Sequence, residues 1–520
     1  MKTIPFKLLL AGCLLISTGV YAQQENLDTN AFNEIRKAEL ENSHVAELAH
    51  YLTDVAGPRL TNSPGFNRAG KWAVETMKKW GMVNAAMEPW GEFGKQWELE
   101  DFSMSMTLPY RQPLRAYAEP WSSSTNGTVH GEVVIMERMR MLDTAYILSH
   151  MVDFKGKFIL LPGAPLNTES NFKPSATRLA DTALANLQET YMIPKATLDI
   201  YRGYFKILRK VTKLLKTSGA LGMIMSEEED SNGTVVVQAN TGFRLTDPEG
   251  IPSADIAIED AQKIKRLLAS GQHVELALSI TAKSSTADTK GYNVVAEIPG
   301  TDPTLKSQLV MLGGHLDSWQ AATGATDNAA GCIVMMEAVR LLDSLHLKPK
   351  RTIRIALWSG EEQGLLGSYF YAKNHFMDGK TFTLKPEQSK VSVYFNLDNG
   401  TGKIRGIYTQ NNKAVIPIFE KWFAPLHDIG AATVTEKNTG STDHLSFDWA
   451  GIPGFEFVQD PIDYETRTHH SNLDDYDHLQ MDDLKQASII VASFVYQASI
   501  RADMLPRKPL VKETFAWDGF

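Results

Sequence analysis

Leu309-Val310-Met311-Leu312-Gly313-Gly314-His315-Leu316-Asp317-Ser318 decides the fold. Four apolar residues read as a short buried strand and run directly into glycines, an imidazole and a carboxylate. Downstream, Ala325-Thr326-Asp327-Asn328-Ala329-Ala330-Gly331 opens a helix expected over 328–345. Further apolar strands are expected at Val294–Ile298, Ile353–Trp358, Val391–Leu397 and Pro453–Val458. Helices at 366–375 and 414–424 alternate with them, and a long one closes the chain at about 482–501. Such alternation implies an α/β fold: a doubly wound, largely parallel sheet with helices on both faces. Functional groups in such sheets gather in the loops beyond the carboxyl ends of the strands.

Four of these loops carry polar clusters. The first strand ends in His315 and Asp317, with Asp327 in the loop that follows. Ile353–Trp358 ends in Ser359-Gly360-Glu361-Glu362-Gln363-Gly364-Leu365-Leu366-Gly367-Ser368, Val391–Leu397 in Asp398-Asn399-Gly400, and a late loop carries His469-His470-Ser471-Asn472-Leu473-Asp474. Taken singly, each has an ordinary reading: a strand-end histidine, an N-cap aspartate, a solvated Glu-Glu pair, a turn aspartate. Their joint appearance at successive strand ends points to a metal site with N and O ligands, suited to zinc. So many carboxylates favour two ions sharing a bridging carboxylate. Two such cations clamp a carbonyl and generate hydroxide from water at neutral pH, and a neighbouring carboxylate that is not a ligand serves as general base.

The 520 residues are 43% hydrophobic and 22% charged, with a formal charge of −9. That is enough chain for two or three domains with full cores. A mildly acidic balance without a long Lys/Arg run argues against nucleic acid and anionic membrane surfaces as partners. With only Cys13 and Cys332 there is no disulfide framework and no thiolate zinc cluster, so a metal must be held by His and carboxylates. Cys332 reads as a buried core residue. Residues 1–22 read as a secretory signal, with Lys2 and Lys7 before the apolar Leu8–Val20 and Val20-Tyr21-Ala22 at the cleavage site. Leu10-Ala11-Gly12-Cys13 resembles a bacterial lipobox, but Lys7 lies too close to Cys13 for an apolar region between them. Cleavage after Ala22 is therefore preferred over lipidation at Cys13, and either route exports the protein to the periplasm or beyond. No later stretch has the length of a transmembrane helix.

Residues 23–127 are expected to form the N-terminal part of the catalytic domain. Ser43 would cap a helix carrying Val45, Leu48, Ala49 and Leu52, the breaker-rich turn Gly57–Gly65 follows, and a second helix runs through Ala69 to Met77. Residues 128–285 read as an inserted domain, with strands at 133–136, 158–161, 221–225 and 234–237. Segment 251–258 leads into a helix near 260–270. A helical insertion at about 174–218 bears Arg209, Lys210, Lys213 and Lys216, read as a solvated face. Residues 286–520 carry the chemistry.

Together His-x-Asp, Thr-Asp-Asn-Ala-Ala-Gly, Glu-Glu-x-Gly-Leu-x-Gly-Ser, strand-Asp and His-Ser-x-x-Asp resemble the co-catalytic di-zinc exopeptidase family of aminopeptidase S and plasma glutamate carboxypeptidase. Gly57-Pro58-Arg59-Leu60-Thr61 with Ser63-Pro64-Gly65 resembles the second, carboxypeptidase Q-like branch. The middle segment sits where that family carries a protease-associated domain. The resemblance implies two Zn2+: His315 and Asp398 on one, Glu362 and His470 on the other, Asp327 bridging. It also implies Glu361 as general base, Asp317 orienting His315, and a strained or cis peptide after Asp327. His470 is preferred to His469 because the family's ligand directly precedes the Ser/Thr of its motif. His444, in Ser441-Thr442-Asp443-His444, resembles a substrate-side residue. The helical insertion departs from the family pattern, at the point that bears on access to the site.

The function so implied is a secreted zinc exopeptidase acting on short peptides, as an aminopeptidase or as a dipeptidase or carboxypeptidase. Homodimers are compatible with the sequence. The competing readings are a metal-free binding or receptor protein on the same scaffold and a glutaminyl-cyclase-like acyl transferase using one metal.

Overall fold

The structure, a computed structural model, describes residues 25–164, 173–190, 195–227, 231–239 and 241–512. The signal segment 1–22 and Cys13 lie outside the described residues.

An eight-stranded sheet runs in the order Val83–Glu92, Lys290–Ile298, Thr352–Trp358, Leu309–His315, Val391–Asn396, Gly454–Gln459, Ile404–Tyr408, Thr433–Thr435. Its four central strands, from Thr352–Trp358 to Gly454–Gln459, are parallel, and antiparallel pairings flank them on both sides. Alternation of side chains distributes the core between the two faces. Val310, Leu312, Ile353, Ile355, Leu357, Val393 and Phe395 pack in one cluster with helices Ala330–Ser344 and Met481–Ile500. Met311, Ala356, Trp358 and Tyr394 face the other way, onto helices Leu366–His375 and His444–Trp449. Each large apolar side chain so buried contributes roughly 1.5–3 kcal/mol. The doubly wound, largely parallel α/β sheet expected from the sequence is present, and its parallel strands deliver His315, Glu361 and Asp398 to one edge.

Helix Ala330–Ser344 begins two residues later than expected. The Asp327-Asn328 peptide is cis, and both residues have non-helical backbone. The Asn328 side chain caps the helix instead, accepting from Gly331 N at 2.9 Å and donating to Leu397 O at 2.9 Å. That close approach requires glycine at 331, where a Cβ would lie 2.2 Å from Leu397 O. Cys332 is buried, its Sγ donating to His315 O at 3.0 Å.

A second eight-stranded sheet runs Gln112–Pro113, Gln96–Leu108, Glu275–Ser285, Val129–Ile135, Phe158–Leu161, Gly222–Met225, Ser253–Ile256, Ala116–Ala118. It takes in strands before residue 128 as well as after it. Gln96–Leu108 fully buries only Trp97, Met104 and Met106 and carries two irregularities against Glu275–Ser285, which break its two-residue period. Three local expectations are adjusted. Thr234–Val237 forms no strand of this sheet; Val236 makes a single bridge to Ser471 instead. Helix Val45–His50 has His44 at its cap position, one residue past Ser43, whose Oγ accepts from Val45 N at 3.3 Å while its hydroxyl donates to Glu39 Oε1 at 2.6 Å. Within the insertion, helix Lys195–Ser218 buries Leu208, Val211 and Leu215, and Arg209 leaves the solvated stripe to pair with Asp247 at 2.7 Å. From residues 173–190, Arg178 reaches Asp460 at 3.0 Å and Asp483, on helix Met481–Ile500, at 2.7 Å. Among the described residues no helix is long and apolar enough to cross a membrane.

Candidate metal centre

The strand Leu309–His315 ends with His315 buried, its Nδ1 held at 2.9 Å by the carbonyl of Asp317. That bond makes Nδ1 the donor and turns Nε2 towards the loops. Nε2 lies 3.1 Å from Asp398 Oδ1 and 3.1 Å from Asp327 Oδ1. The other oxygen of Asp327 lies 3.2 Å from His470 Nε2, which is 2.9 Å from Glu362 Oε2. Asp327 thus stands between two imidazole–carboxylate pairs, one oxygen towards each. Glu361 Oε2 approaches His315 Nε2 at 3.9 Å and lies beside the first pair.

The surrounding bonds explain this local geometry. Buried Arg59, from the Gly57–Gly65 turn, donates to the carbonyls of Leu316 and Gly324, each at 2.7 Å, and so ties both ends of the 315–324 loop together. Thr61 Oγ1 donates to Asp317 Oδ2 at 2.7 Å and accepts from Gly360 N at 3.1 Å, while Asp317 Oδ1 accepts from Glu361 N. The Asp317 carboxylate therefore organises the Glu361 backbone; its 3.6 Å separation from His315 Nδ1 leaves the orienting contact to its own main-chain carbonyl.

Two further carboxylates support the cage. Asp474 accepts from Thr326 N at 2.6 Å and Asp327 N at 3.1 Å. Glu456 accepts from Asp398 N at 2.8 Å and Asn396 Nδ2 at 2.7 Å. Asp474 was legible only as the last letter of a motif. Glu456 was read as part of an apolar strand, where a lone acid in a buried run was the available signal.

The electrostatics follow from crowding charge out of water. Burial, with Asp398, Asp443 and Glu362 nearby, pushes the Glu361 carboxyl well above the usual range against the opposing pull of His315. Burial lifts Glu362 to about 7 although His470 opposes it. Asp327 is buried too, yet the two imidazoles hold it well below the usual range. Both imidazoles are driven upward by the carboxylates facing them, in spite of burial.

Asp327, Glu361, Glu362 and Asp398 place four carboxylates against two imidazoles in one recess. Glu362 Oε1 is buried without a hydrogen-bond donor, and Asp327 Oδ2 sits near His470 without hydrogen-bond geometry. Buried carboxylates with unused lone pairs, flanked by imidazoles, fit divalent cations of the zinc type.

All five residues expected as ligands come together. His469 lies at the same loop, its Nε2 3.9 Å from Asp327 Oδ2, but it is 40% exposed and makes no close pair with Glu362. His444 does not reach the cage. It is fully buried, with Nε2 against Thr439 O at 3.1 Å and Gln410 at 2.8 Å, and burial lowers it to about 4. Its Nδ1 is buried without a hydrogen-bond partner, 3.8 Å from Oε2 of Glu456, whose carboxylate holds the Asp398 backbone. From the same loop it is Asp443, buried and raised to about 8 chiefly by burial, whose charge acts on Glu361.

Residues 293–495 match the family model described as Peptidase family M28. Carboxypeptidase Q of Bos taurus is 33% identical over 258 residues, 49% of this chain and 52% of that one. The chain thus spans about half the length of the curated relatives it matches. Among solved structures, a Peptidase M28 precursor from Shewanella amazonensis SB2B superposes with a TM-score of 0.68 at 23% identity, covering 92% of this chain and 98% of that one. A zinc aminopeptidase from Bacillus subtilis gives 0.54 at 20% identity over 88% and 94%. These structures share the fold, and the match to the Peptidase family M28 model, at residues 293–495, falls on the strands and loops that build the cage.

Proposed function

We propose that the protein is an exported zinc exopeptidase that hydrolyses dipeptides or the terminal residue of short peptides. The observation that carries this reading is Asp327 shared between the His315–Asp398 and His470–Glu362 pairs, with Glu361 beside them. Asp327, His315 and Asp398 would hold one Zn2+, and Asp327, His470 and Glu362 the other. When bound, the zinc pair supplies Lewis-acid polarisation of the scissile carbonyl and lowers the pKa of water. Glu361 takes the proton from the attacking water and returns it to the departing amine. Its backbone is fixed by Asp317, and burial with the neighbouring carboxylates holds its carboxyl well above the usual range.

The two complete imidazole–carboxylate pairs favour this reading over a one-metal acyl transferase, and the unspent buried carboxylate oxygens favour it over a metal-free receptor. The middle segment would act as a protease-associated-like domain bordering the cleft. Metal analysis of the purified protein, followed by a panel of dipeptides with free, acetylated and amidated ends, tests the proposal. Two zinc ions per chain and chelator-sensitive release from dipeptides with free ends are expected. Fewer than one tightly bound zinc, or cyclisation of N-terminal glutamine in place of hydrolysis, overturns it.

A further inference from the structure

The second sheet does more than border the cleft. The loop at 231–239 belongs to it by packing: Val235 and Val237 are buried against Ala257, next to Tyr117 of strand Ala116–Ala118. Its outward edge meets the loop that carries His470. Val237 N donates to His470 O at 3.0 Å, Val235 N to Asn472 Oδ1 at 2.7 Å, and Asn472 N to Val235 O at 3.1 Å, with Val236 bridging Ser471. Asn472 Nδ2 extends the contact to Tyr117 Oη at 3.4 Å.

His470 needs such support. Its backbone lies in the left-handed region, φ 56°, which an L side chain with a Cβ adopts only when its surroundings hold it there. The bond from Val237 fixes its carbonyl, and the Asn472 side chain locks the residue two places on. A second arm reaches the same ring. Trp319 stands edge-on to His470 with centroids 6.1 Å apart and packs with Trp121 in the core of the second sheet.

We propose that Asn472 is a positioning residue through which the 231–239 loop sets His470, so that the second sheet completes one of the two metal positions. The inference rests on the reading of His470 as a zinc ligand. Without the Asn472 acceptor, Val235 N loses its partner, and the loop is free to relax His470 out of its left-handed backbone. The His315–Asp398 pair is held by different bonds, so the effect falls on one ion alone.

The test is zinc titration by calorimetry into the metal-stripped full-length protein, for wild type, Asn472→Ala and Asn472→Asp, with the thermal midpoint of each zinc-free protein as a folding control. Asn472→Ala is expected to weaken one zinc about ten- to a hundredfold while the other binds as in wild type. Asn472→Asp keeps the Oδ1 acceptor and is expected to restore the weakened position. A general loss of fold would lower the zinc-free midpoint and weaken both ions together, which overturns the positioning role. Two unaltered affinities in Asn472→Ala overturn the inference alone. A wild type that takes up no zinc overturns the reading of the site and the inference with it.

Discussion

Glu361 and Glu362 are chain neighbours to which the proposed mechanism gives separate tasks: Glu362 reaches His470 at 2.9 Å, while Glu361 stands 3.9 Å from His315. A ligand and a proton carrier should fail differently. Glu361→Gln keeps size and hydrogen bonding but cannot move a proton. It is expected to lower kcat about 10²–10⁴-fold while zinc content and thermal midpoint stay as in wild type. Steady-state kinetics beside metal analysis decides this, and near-normal turnover would remove Glu361 from the mechanism. Gly331 makes a purely steric prediction. A Cβ there would lie 2.2 Å from Leu397 O and 2.5 Å from Asn328 Oδ1, so Gly331→Ala must push on the residue before Asp398 and on the cap of the following helix. A loss of roughly 1–3 kcal/mol in denaturant unfolding is expected, and an unchanged midpoint would show that the strand end yields freely.

At the scale of elements, helices Thr29–Glu41 and Ala330–Ser344 meet through a buried carboxyl pair. Glu337 is held by Arg340 at 2.6 Å and by His44 N at 3.0 Å, whereas burial and the nearby Glu337 push Glu39 up to about 9 from an ordinary 4.5. A carboxyl whose folded pKa is raised contributes fully below its unfolded value and loses that contribution as pH climbs through the folded one. Thermal stability is therefore expected to fall between about pH 4.5 and pH 9, and Glu39→Gln, which mimics the protonated form, should flatten that fall. Parallel pH profiles for the two proteins would exclude the pair as the cause. Elements of this kind also divide what was legible from what was not. Three strand ends were readable because site residue and strand are contiguous: Leu312 and His315, Trp358 and Glu361, Leu397 and Asp398 lie within three residues of one another. Glu456 and Asp443 act across strands, and a sequence does not announce which strands are neighbours. Gln96–Leu108 escaped because its bulges break the two-residue period, and Thr234–Val237 misled because its β-branched run pairs with a catalytic loop rather than a strand.

At the scale of the whole molecule, the cage draws on distant parts of the chain: Arg59 and Thr61 before the second sheet, His315 to Asp398 after it, and His470 pressed against the 231–239 loop. Bound ions would join these parts, and anything that binds only the folded state stabilises it. Stripping zinc with a chelator is expected to lower the calorimetric unfolding temperature and zinc return to restore it. A midpoint indifferent to chelator would mean that the carboxylates are satisfied without metal. The most direct measurement is anomalous diffraction at the zinc edge from crystals of the zinc-loaded protein. The account predicts two peaks about 3.5–4 Å apart with Asp327 between them, His315 and Asp398 on one side and Glu362 and His470 on the other. A single peak, or ions bound away from Asp327, would contradict it.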